Sequence, residues 1–308
     1  MQPEKLFDLS RLKHTKSLFW LAVICVVVAV ALIPLWILDS RELLGVSVWE
    51  KPIKFYISVA IFSFTYSWLS SFLTRGGRWV KLTGLVIAVS LAVENILILA
   101  VASNGETSHF NVSTPTAIAI WSIMATFISI VLFSTIFISL MILFQKQEFN
   151  LKLALALGSI NTAVGMGLAY LMTWPTATQL ANYQGIAGAH AVGVSDGGPG
   201  LPFLGWSTVA GDLRVGHFFG LHSIQVAAIL LAIALVLPSV LRVPLLIVGN
   251  FTWLGFVGLV TWQSLRAEPF SSPSQLTLTG FAVLMAVAAA SFTVLVVWQR
   301  SRTPKQLA

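Results

Sequence analysis

The chain has 308 residues, of which 57% are hydrophobic and only 9% are charged, and its formal net charge is +7. Soluble domains contain about 25% charged residues, so this composition excludes a soluble globular protein and also a disordered or collagen-like chain. The excess of Lys and Arg is typical of the loops that orient a membrane protein, and nucleic acid is not an expected partner.

The hydrophobic residues form eight runs, each long enough to cross a bilayer core as a helix of about 20 residues. Lipid offers no partners to backbone polar groups, and the runs lack strict alternation, so helices are predicted rather than a barrel. In chain order the runs are 17–38, 53–74, 79–102, 116–144, 151–173, 215–237, 242–263 and 275–298. They predict an all-α, polytopic bundle of about eight transmembrane helices that forms a single membrane domain, 1–308.

The charges of the connecting segments predict how this bundle is oriented. With a cytoplasmic N-terminus, only five of the 18 Lys and Arg residues fall on the other side, which leaves 13 on the cytoplasmic side. Those five are Arg41, Lys51, Lys54, Arg214 and Arg266. Cytoplasmic loops of membrane proteins are enriched in Lys and Arg, so we expect both termini to be cytoplasmic.

The longest connection, residues 174–214, is rich in Gly, Pro, Ser and Thr and falls on the extracytoplasmic side. A loop of this length within a compact fold is usually functional or a linker. A linker between domains is not expected within a single bundle, so we predict that this loop folds back as a lid.

Where the sixth run begins, the stretch "GDLRVGHFFGLHSIQ" (211–225) contains Asp212, Arg214, His217, His222 and Gln225. At about 100° per residue, all of these except Asp212 share one sector of a helix, and such a sector should face the bundle interior. The two histidines are about 140° apart, so a regular helix would not direct both at one metal ion. Packing and capping roles for these histidines remain an alternative.

Four histidines, His109, His190, His217 and His222, fall in the predicted outer half of the protein. Imidazole and carboxylate groups are ligands of zinc, iron and copper, so these histidines are candidate ligands of a metal ion or haem. A recognised metal-binding motif such as H-E-x-x-H is absent from the sequence. Asp196 follows His190 by six residues in a Gly- and Pro-rich turn, and we predict that it contacts a ligand.

Glu94 lies roughly 12 Å below the outer end of the third run, at 1.5 Å per helical residue. A carboxylate within a membrane span is a functional candidate, and we predict that Glu94 moves protons, with a paired structural role as the alternative. Lys54 is predicted to pair with Glu94 or to bind an anionic ligand, although a lysine near a helix end can also snorkel to the interface. The candidate catalytic residues are Glu94, Asp212 and Arg214, and the candidate ligand-binding residues are Lys54, Gln225 and Asp196.

The stretch "HAVGVSDGGPGLPFLGWSTVAGDLRVGHFFGLHSIQ" (190–225), together with "WEKPIKF" (49–55), resembles bacterial multi-spanning membrane proteins to which no function has been assigned. The resemblance implies a bacterial inner-membrane protein and carries over neither an activity nor a site.

Three functions fit these features. The leading hypothesis is a polar site near the outer leaflet that performs metal- or haem-dependent redox chemistry, or chemistry on a lipid or quinone. The first alternative is a proton-coupled carrier of a small molecule or anion, and the second is an accessory or sensor subunit. Beyond the lipid bilayer, the only partner implied is a small-molecule, lipid or quinone ligand.

Overall fold

All eight predicted hydrophobic runs are helical in the structure, a computed structural model that describes residues 3–302. Residues 1–2 and 303–308, the ends of the two predicted cytoplasmic termini, lie outside the described residues. The α-helices are α1 (Pro3–Leu6), α2 (Lys16–Leu38), α3 (Glu50–Ser70), α4 (Gly77–Ser103), α5 (Pro115–Leu143), α6 (Phe149–Gly167), α7 (Ala177–Ala181), α8 (Leu213–Leu221), α9 (Ser223–Val236), α10 (Ser239–Leu265) and α11 (Gln275–Arg302). Two short 3₁₀ helices, Leu9–Lys13 and Leu168–Thr173, precede α2 and follow α6.

Six helices in the described part of the chain are long and apolar enough to cross a membrane, and α8 with α9 gives a seventh if this bent pair is one span. The all-helical architecture is therefore that of a multi-pass membrane protein. The counterpart of the predicted run 53–74, α3, is not among these helices. The side chains of Ser63 and Ser67 on α3 are fully buried against the rest of the bundle, so α3 tolerates polar residues that a lipid-facing helix would not.

The segments that connect the long helices gather at the two ends of the bundle. At one end, the Arg41 guanidinium donates a 2.8 Å hydrogen bond to the carbonyl of Ser103. At the other, the Arg11 guanidinium donates a 3.0 Å hydrogen bond to the hydroxyl of Ser71. We call the first end the outer end; its main segments are 39–49, 104–114 and 174–212.

A β-hairpin precedes α3 at the outer end. Its strands, β1 (Glu42–Leu43) and β2 (Val46–Ser47), pair antiparallel around Leu44 and Gly45, whose φ angles are 54° and 78°. Two consecutive positive φ angles give the tight turn that matches the twist of a hairpin. The tip of this turn packs against Gly197 of the long loop, where a Cβ atom would lie 3.2 Å from that of Leu44.

The long loop is ordered and returns across the outer end. Strands β3 (Ala191–Val192) and β4 (Gly211–Asp212) pair antiparallel, with Ala191 opposite Asp212. The Leu213 amide extends this pairing by donating a 2.9 Å hydrogen bond to the carbonyl of His190. The pairing brings two predicted site residues together at the entrance to α8: Asp212 on β4 and His190 immediately before β3.

The predicted sixth span is not one straight helix, because the chain bends by 44° at His222 between α8 and α9. The hydroxyl of Thr162 on α6 accepts a 3.1 Å hydrogen bond from the amide of Ile224 just after the bend. Before the bend, a Cβ atom added to Gly165 would lie only 2.3 Å from the carbonyl carbon of Gly220, so α6 and α8 cross in backbone contact. The prediction that the polar residues of 215–237 share one side of a single straight helix is therefore wrong beyond His222, where the helix axis changes direction.

Candidate functional site

A cavity of about 910 Å³ lies between α3, α5, α6 and α8, beneath the hairpin and the long loop. Nine of the ten predicted site residues line it: Lys54, Glu94, His109, His190, Asp196, Asp212, Arg214, His217 and His222. The tenth, Gln225, lies one turn beyond the bend, where its side-chain amide donates a 2.9 Å hydrogen bond to Thr65 of α3. The structure brings the nine together, and the individual roles assigned to them stay predictions.

The lining of the cavity changes from polar to apolar with depth. Lys51 and Lys54 lie in the first turns of α3, whereas Ile61 and Phe62 lie about two turns further into the bundle. On α5, the apolar wall extends as far as Leu132. Most of the ionisable groups are therefore at the outer end of the cavity, whereas its deeper part is mainly hydrocarbon, with His222 at the inner end of α8 as an ionisable residue at greater depth.

Lys51, His109 and Glu94 form a row across the outer part of the cavity. The Lys51 ammonium lies 3.1 Å from Nδ1 of His109, and Nε2 of the same ring lies 3.7 Å from Oε1 of Glu94. An ammonium group only donates, so Nδ1 of His109 accepts and its Nε2–H points at the carboxylate. Burial, followed by the nearby Lys51 and His190, lowers the pKa of His109 well below its usual value, so this histidine is neutral.

Glu94 is only partly satisfied by these contacts. Its side chain is almost fully buried, and within residues 3–302 its second oxygen, Oε2, has no hydrogen-bond partner. Leaving a buried polar group unsatisfied costs about 1–3 kcal/mol. A buried carboxyl oxygen of this kind beside a cavity is a natural contact point for a ligand or an ordered water molecule.

His190 and Asp196 form a second polar group, held by the long loop. Nδ1 of His190 lies 2.8 Å from Oδ2 of Asp196, and the same carboxylate accepts hydrogen bonds from the His190 and Ala191 amides. Burial raises the pKa of Asp196, but the hydrogen bonds from His190 and the amides outweigh it and bring the value to about 2. Burial also lowers the pKa of His190, and Asp196 opposes this only in part.

Two ion pairs hold residues 204–205 of the loop over the cavity. The fully buried carboxylate of Asp212 accepts from Nε and Nη2 of Arg214 at 2.9 and 2.6 Å, and Nη2 also donates to the carbonyl of Gly205. Lys54 lies 2.8 Å from Glu50, one helical turn earlier, and 3.5 Å from the carbonyl of Leu204. The predicted pairing of Lys54 with Glu94 is therefore wrong, because the i, i+4 spacing puts Glu50 within closer reach.

His217 and His222 occupy different surroundings. His217 donates a 2.8 Å hydrogen bond from Nδ1 to the carbonyl of Gly165, a contact that the close crossing of α6 and α8 permits. The His222 ring lies at the bend, 4.6 Å from the ring of Phe218. Across the described range 3–302, no three His, Cys, Asp or Glu side chains are grouped closely enough to hold one metal ion.

Several residues of the site carry no distinctive sequence signal. Phe110 contacts the rings of both His109 and His190, at centroid distances of 6.1 and 4.9 Å, and separates the two polar groups. Gly205 approaches Lys54 and Arg214 so closely that a Cβ atom would lie within 3.5 and 3.7 Å of their nitrogens. Adjacency to His109 was the only available pointer to Phe110, and nothing distinguished Gly205 from the other glycines.

The fold and the cavity define a multi-pass membrane protein with ionisable residues gathered around a cavity at one end of its bundle. Comparisons with models of protein families, with curated proteins and with solved structures gave no significant match. The function is therefore argued from the cavity itself.

Proposed function

We propose that this protein binds an amphiphilic molecule of the lipid or quinone type and exchanges protons with its head group. The head group would lie among Glu94, His109 and His190, and the hydrocarbon part would extend along α5 toward Leu132. This proposal develops the leading hypothesis from the sequence but does not require a metal ion or haem.

The change in lining with depth carries the proposal. Small-molecule sites are commonly about 300–1,000 Å³, mostly apolar, with a few convergent polar groups, and this cavity of about 910 Å³ fits that description. An ion or a small polar solute would leave the deep apolar wall unused. A molecule with a polar head and an apolar chain would use both parts.

The charges of the cavity do not favour an anion carrier. Three cationic residues, Lys51, Lys54 and Arg214, line the cavity with four acidic ones, Glu50, Glu94, Asp196 and Asp212. With all seven groups ionised, the formal sum is 3 − 4 = −1. Lys54, the candidate for binding an anion, and Arg214 already pair with acidic residues, so an anion at either cation would have to displace a carboxylate.

The row of Lys51, His109 and Glu94 provides the proposed route for protons. A proton accepted by Nδ1 of His109 from Lys51 would be balanced by the loss of the Nε2 proton to Glu94. The Glu94 carboxyl would then hold that proton on Oε1 at the cavity wall. Lys51 and His109 are within hydrogen-bond distance at 3.1 Å, and a side-chain movement of less than about 1 Å would bring Nε2 of His109 and Oε1 of Glu94 from 3.7 Å into the same range.

We further propose that eight helices cross the membrane, with α8 and α9 as one span and α3 as a buried one. The alternation of loops between the two ends and the charge bias of those loops support cytoplasmic termini. The resemblance noted from the sequence supports the bacterial inner membrane as the location. The cavity would then open near the outer leaflet.

Blocking the hydrocarbon part of the cavity tests this function. Ala125 of α5 lines the cavity, and Ala289 of α11 is exposed on the outer surface of the bundle. The matched variants Ala125→Trp and Ala289→Trp would be purified from membranes in mild detergent, and native mass spectrometry would identify any amphiphile retained by each.

We expect the wild type and Ala289→Trp to retain the same amphiphile, and Ala125→Trp to lose most of it while still folding. Equal retention by all three proteins would place the bound molecules outside the cavity and would overturn the proposal. A wild type that retains nothing, even after incubation with quinones and extracted lipids, would also overturn it.

A further inference from the structure

The hydrogen bonds of the cavity histidines identify the chemistry of the head group. We infer that the head group carries hydroxyl groups, as in a hydroquinone, and that these donate hydrogen bonds to Nε2 of His190 and of His217. This inference rests on the proposed function, because it specifies which amphiphile the cavity recognises.

The tautomer of His190 follows from its partner. Asp196 accepts hydrogen bonds from the His190 and Ala191 amides, so its carboxylate oxygens are held in place, and Nδ1 of His190 must donate to Oδ2 across 2.8 Å. A neutral imidazole with its proton on Nδ1 has a lone pair on Nε2. Within residues 3–302 this nitrogen accepts no hydrogen bond, and His190 lines the cavity.

His217 has the same tautomer for a different reason. Its Nδ1 lies 2.8 Å from the carbonyl oxygen of Gly165, and a carbonyl only accepts, so Nδ1 carries the proton. The backbone contact between Gly165 and Gly220 brings that carbonyl within reach and leaves it no freedom to move away. A second neutral imidazole therefore presents an acceptor nitrogen to the same cavity.

His109 does not offer a hydrogen-bond donor that a head-group carbonyl could use instead. The Nε2–H of His109 points at Glu94, and the remaining oxygen of Glu94 is itself an acceptor when ionised. A head group with only carbonyl oxygens would meet lone pairs at both His190 and His217. A head group with hydroxyl groups would satisfy them.

Three related probes distinguish these cases: a decyl-substituted para-hydroquinone, its dimethyl ether and the corresponding para-benzoquinone. They share the same apolar chain, and only the hydroquinone carries O–H donors. Binding to the detergent-solubilised full chain would be measured anaerobically by microscale thermophoresis at pH 7. We expect the hydroquinone to bind about tenfold more tightly than either other probe, since leaving a desolvated acceptor unpaired typically costs an order of magnitude in affinity.

Asp196→Asn tests the assigned tautomer directly. The two amides would hold the Asn carbonyl oxygen at the Oδ1 position and leave the NH₂ group facing Nδ1 of His190. The ring would then have to accept at Nδ1 and carry its proton on Nε2. We expect this variant to lose the preference for the hydroquinone and to bind the benzoquinone at least as well. Asp8→Asn, an exposed residue at the opposite end of the bundle, is the control and should keep the wild-type preference.

The outcomes separate the two proposals. If all three probes bind equally, the cavity takes an amphiphile but the inference about hydroxyl donors is overturned. If none binds, and the native amphiphile lacks hydroxyl groups, the inference also fails. Independently of any ligand, nitrogen-15 NMR of selectively labelled protein should show His190 and His217 protonated at Nδ1; protonation of either at Nε2 would overturn the inference even if the proposed function stands.

Discussion

Nδ1 of His190 and Oδ2 of Asp196 are joined by a 2.8 Å hydrogen bond within a loop that has little regular secondary structure. The same carboxylate accepts from two backbone amides, so one acidic side chain shapes both the loop and the histidine. Through this pair, the fold of the long loop and the chemistry of the cavity depend on each other.

The stability of the protein should depend on pH through Asp196. The pKa of this residue is about 2 in the folded protein, against about 3.9 in an unfolded chain. A depressed folded pKa gives stability that is present above the unfolded value and is lost as pH falls through the folded value. The shift corresponds to about 2–3 kcal/mol at pH 7, of which about half should be lost by pH 3.

Comparing thermal unfolding of the wild type and Asp196→Asn in detergent between pH 7 and pH 3 checks this expectation. The variant should have a lower melting temperature than the wild type at pH 7. This difference should become smaller as pH falls, because protonation of Asp196 removes the stabilising interactions of its carboxylate in the wild type. A difference in melting temperature that stays constant or increases toward pH 3 would show that the ionised Asp196 carboxylate does not stabilise the fold.

The crossing of α6 and α8 should tolerate no side chain at Gly165. A Cβ atom there would lie 2.3 Å from the backbone of Gly220, whereas a Cβ atom at Gly167, two residues later, meets nothing within 4 Å. We expect Gly165→Ala to destabilise the protein by about 1–3 kcal/mol, as overpacking typically does. Gly167→Ala is the matched control and should leave the melting temperature nearly unchanged; similar melting temperatures for the two variants would argue against the close crossing.

Arg214 should keep the loop closed over the cavity. Arg214→Gln would leave the buried carboxylate of Asp212 without its guanidinium, which typically costs about 3–5 kcal/mol, and would release the carbonyl of Gly205. We expect faster amide hydrogen exchange across residues 199–210. Arg41→Gln is the control, because Arg41 is half-exposed in its ion pair with Asp39 and such pairs contribute little. Unchanged amide hydrogen exchange in Arg214→Gln would contradict the role of Arg214 in holding the loop over the cavity.

Glu94 should be the group that exchanges a proton when a ligand binds. Glu94→Gln keeps the size of the side chain and removes its ability to ionise, so we expect net proton uptake or release on ligand binding to fall by at least half. Calorimetric titration with the hydroquinone probe in buffers of different ionisation enthalpy measures this quantity. Glu42→Gln, at an exposed position in the hairpin, is the control. Equal proton exchange in the wild type and Glu94→Gln would exclude Glu94 from this role.

The helices were largely predictable because lipid imposes length and composition on every span. The run 242–263, for example, corresponds to α10, and the run 79–102 to α4. The bend at His222 was not predicted; next to it, the backbone amide of Ile224 donates to the hydroxyl of Thr162 on α6, a contact between distant residues that no local pattern indicates. Apolar content also could not show that α3 is a buried helix, since its polar residues are tolerated only through contacts with its neighbours.

Most of the ionisable residues that line the cavity could also be predicted from the sequence, since ionisable side chains stand out in a chain this apolar. Their pairings were not predicted. The sequence suggested that Lys54 pairs with Glu94 or binds an anion, whereas in the structure Lys54 pairs with Glu50. Lys51 is the lysine beside His109. Pairings of this kind depend on the loop fold, and a short loop strand such as β3 carries no periodic pattern that would predict it.

The central claim, that an amphiphile occupies the cavity, is tested most directly by a cryo-electron microscopy structure of the protein extracted with its native lipid. We predict elongated non-protein density in the cavity, with its polar end within hydrogen-bond distance of Glu94 or His190 and its apolar part along α5 toward Leu132. A cavity that contains only separate water molecules, or density with its polar end in the deep apolar part, would contradict the account.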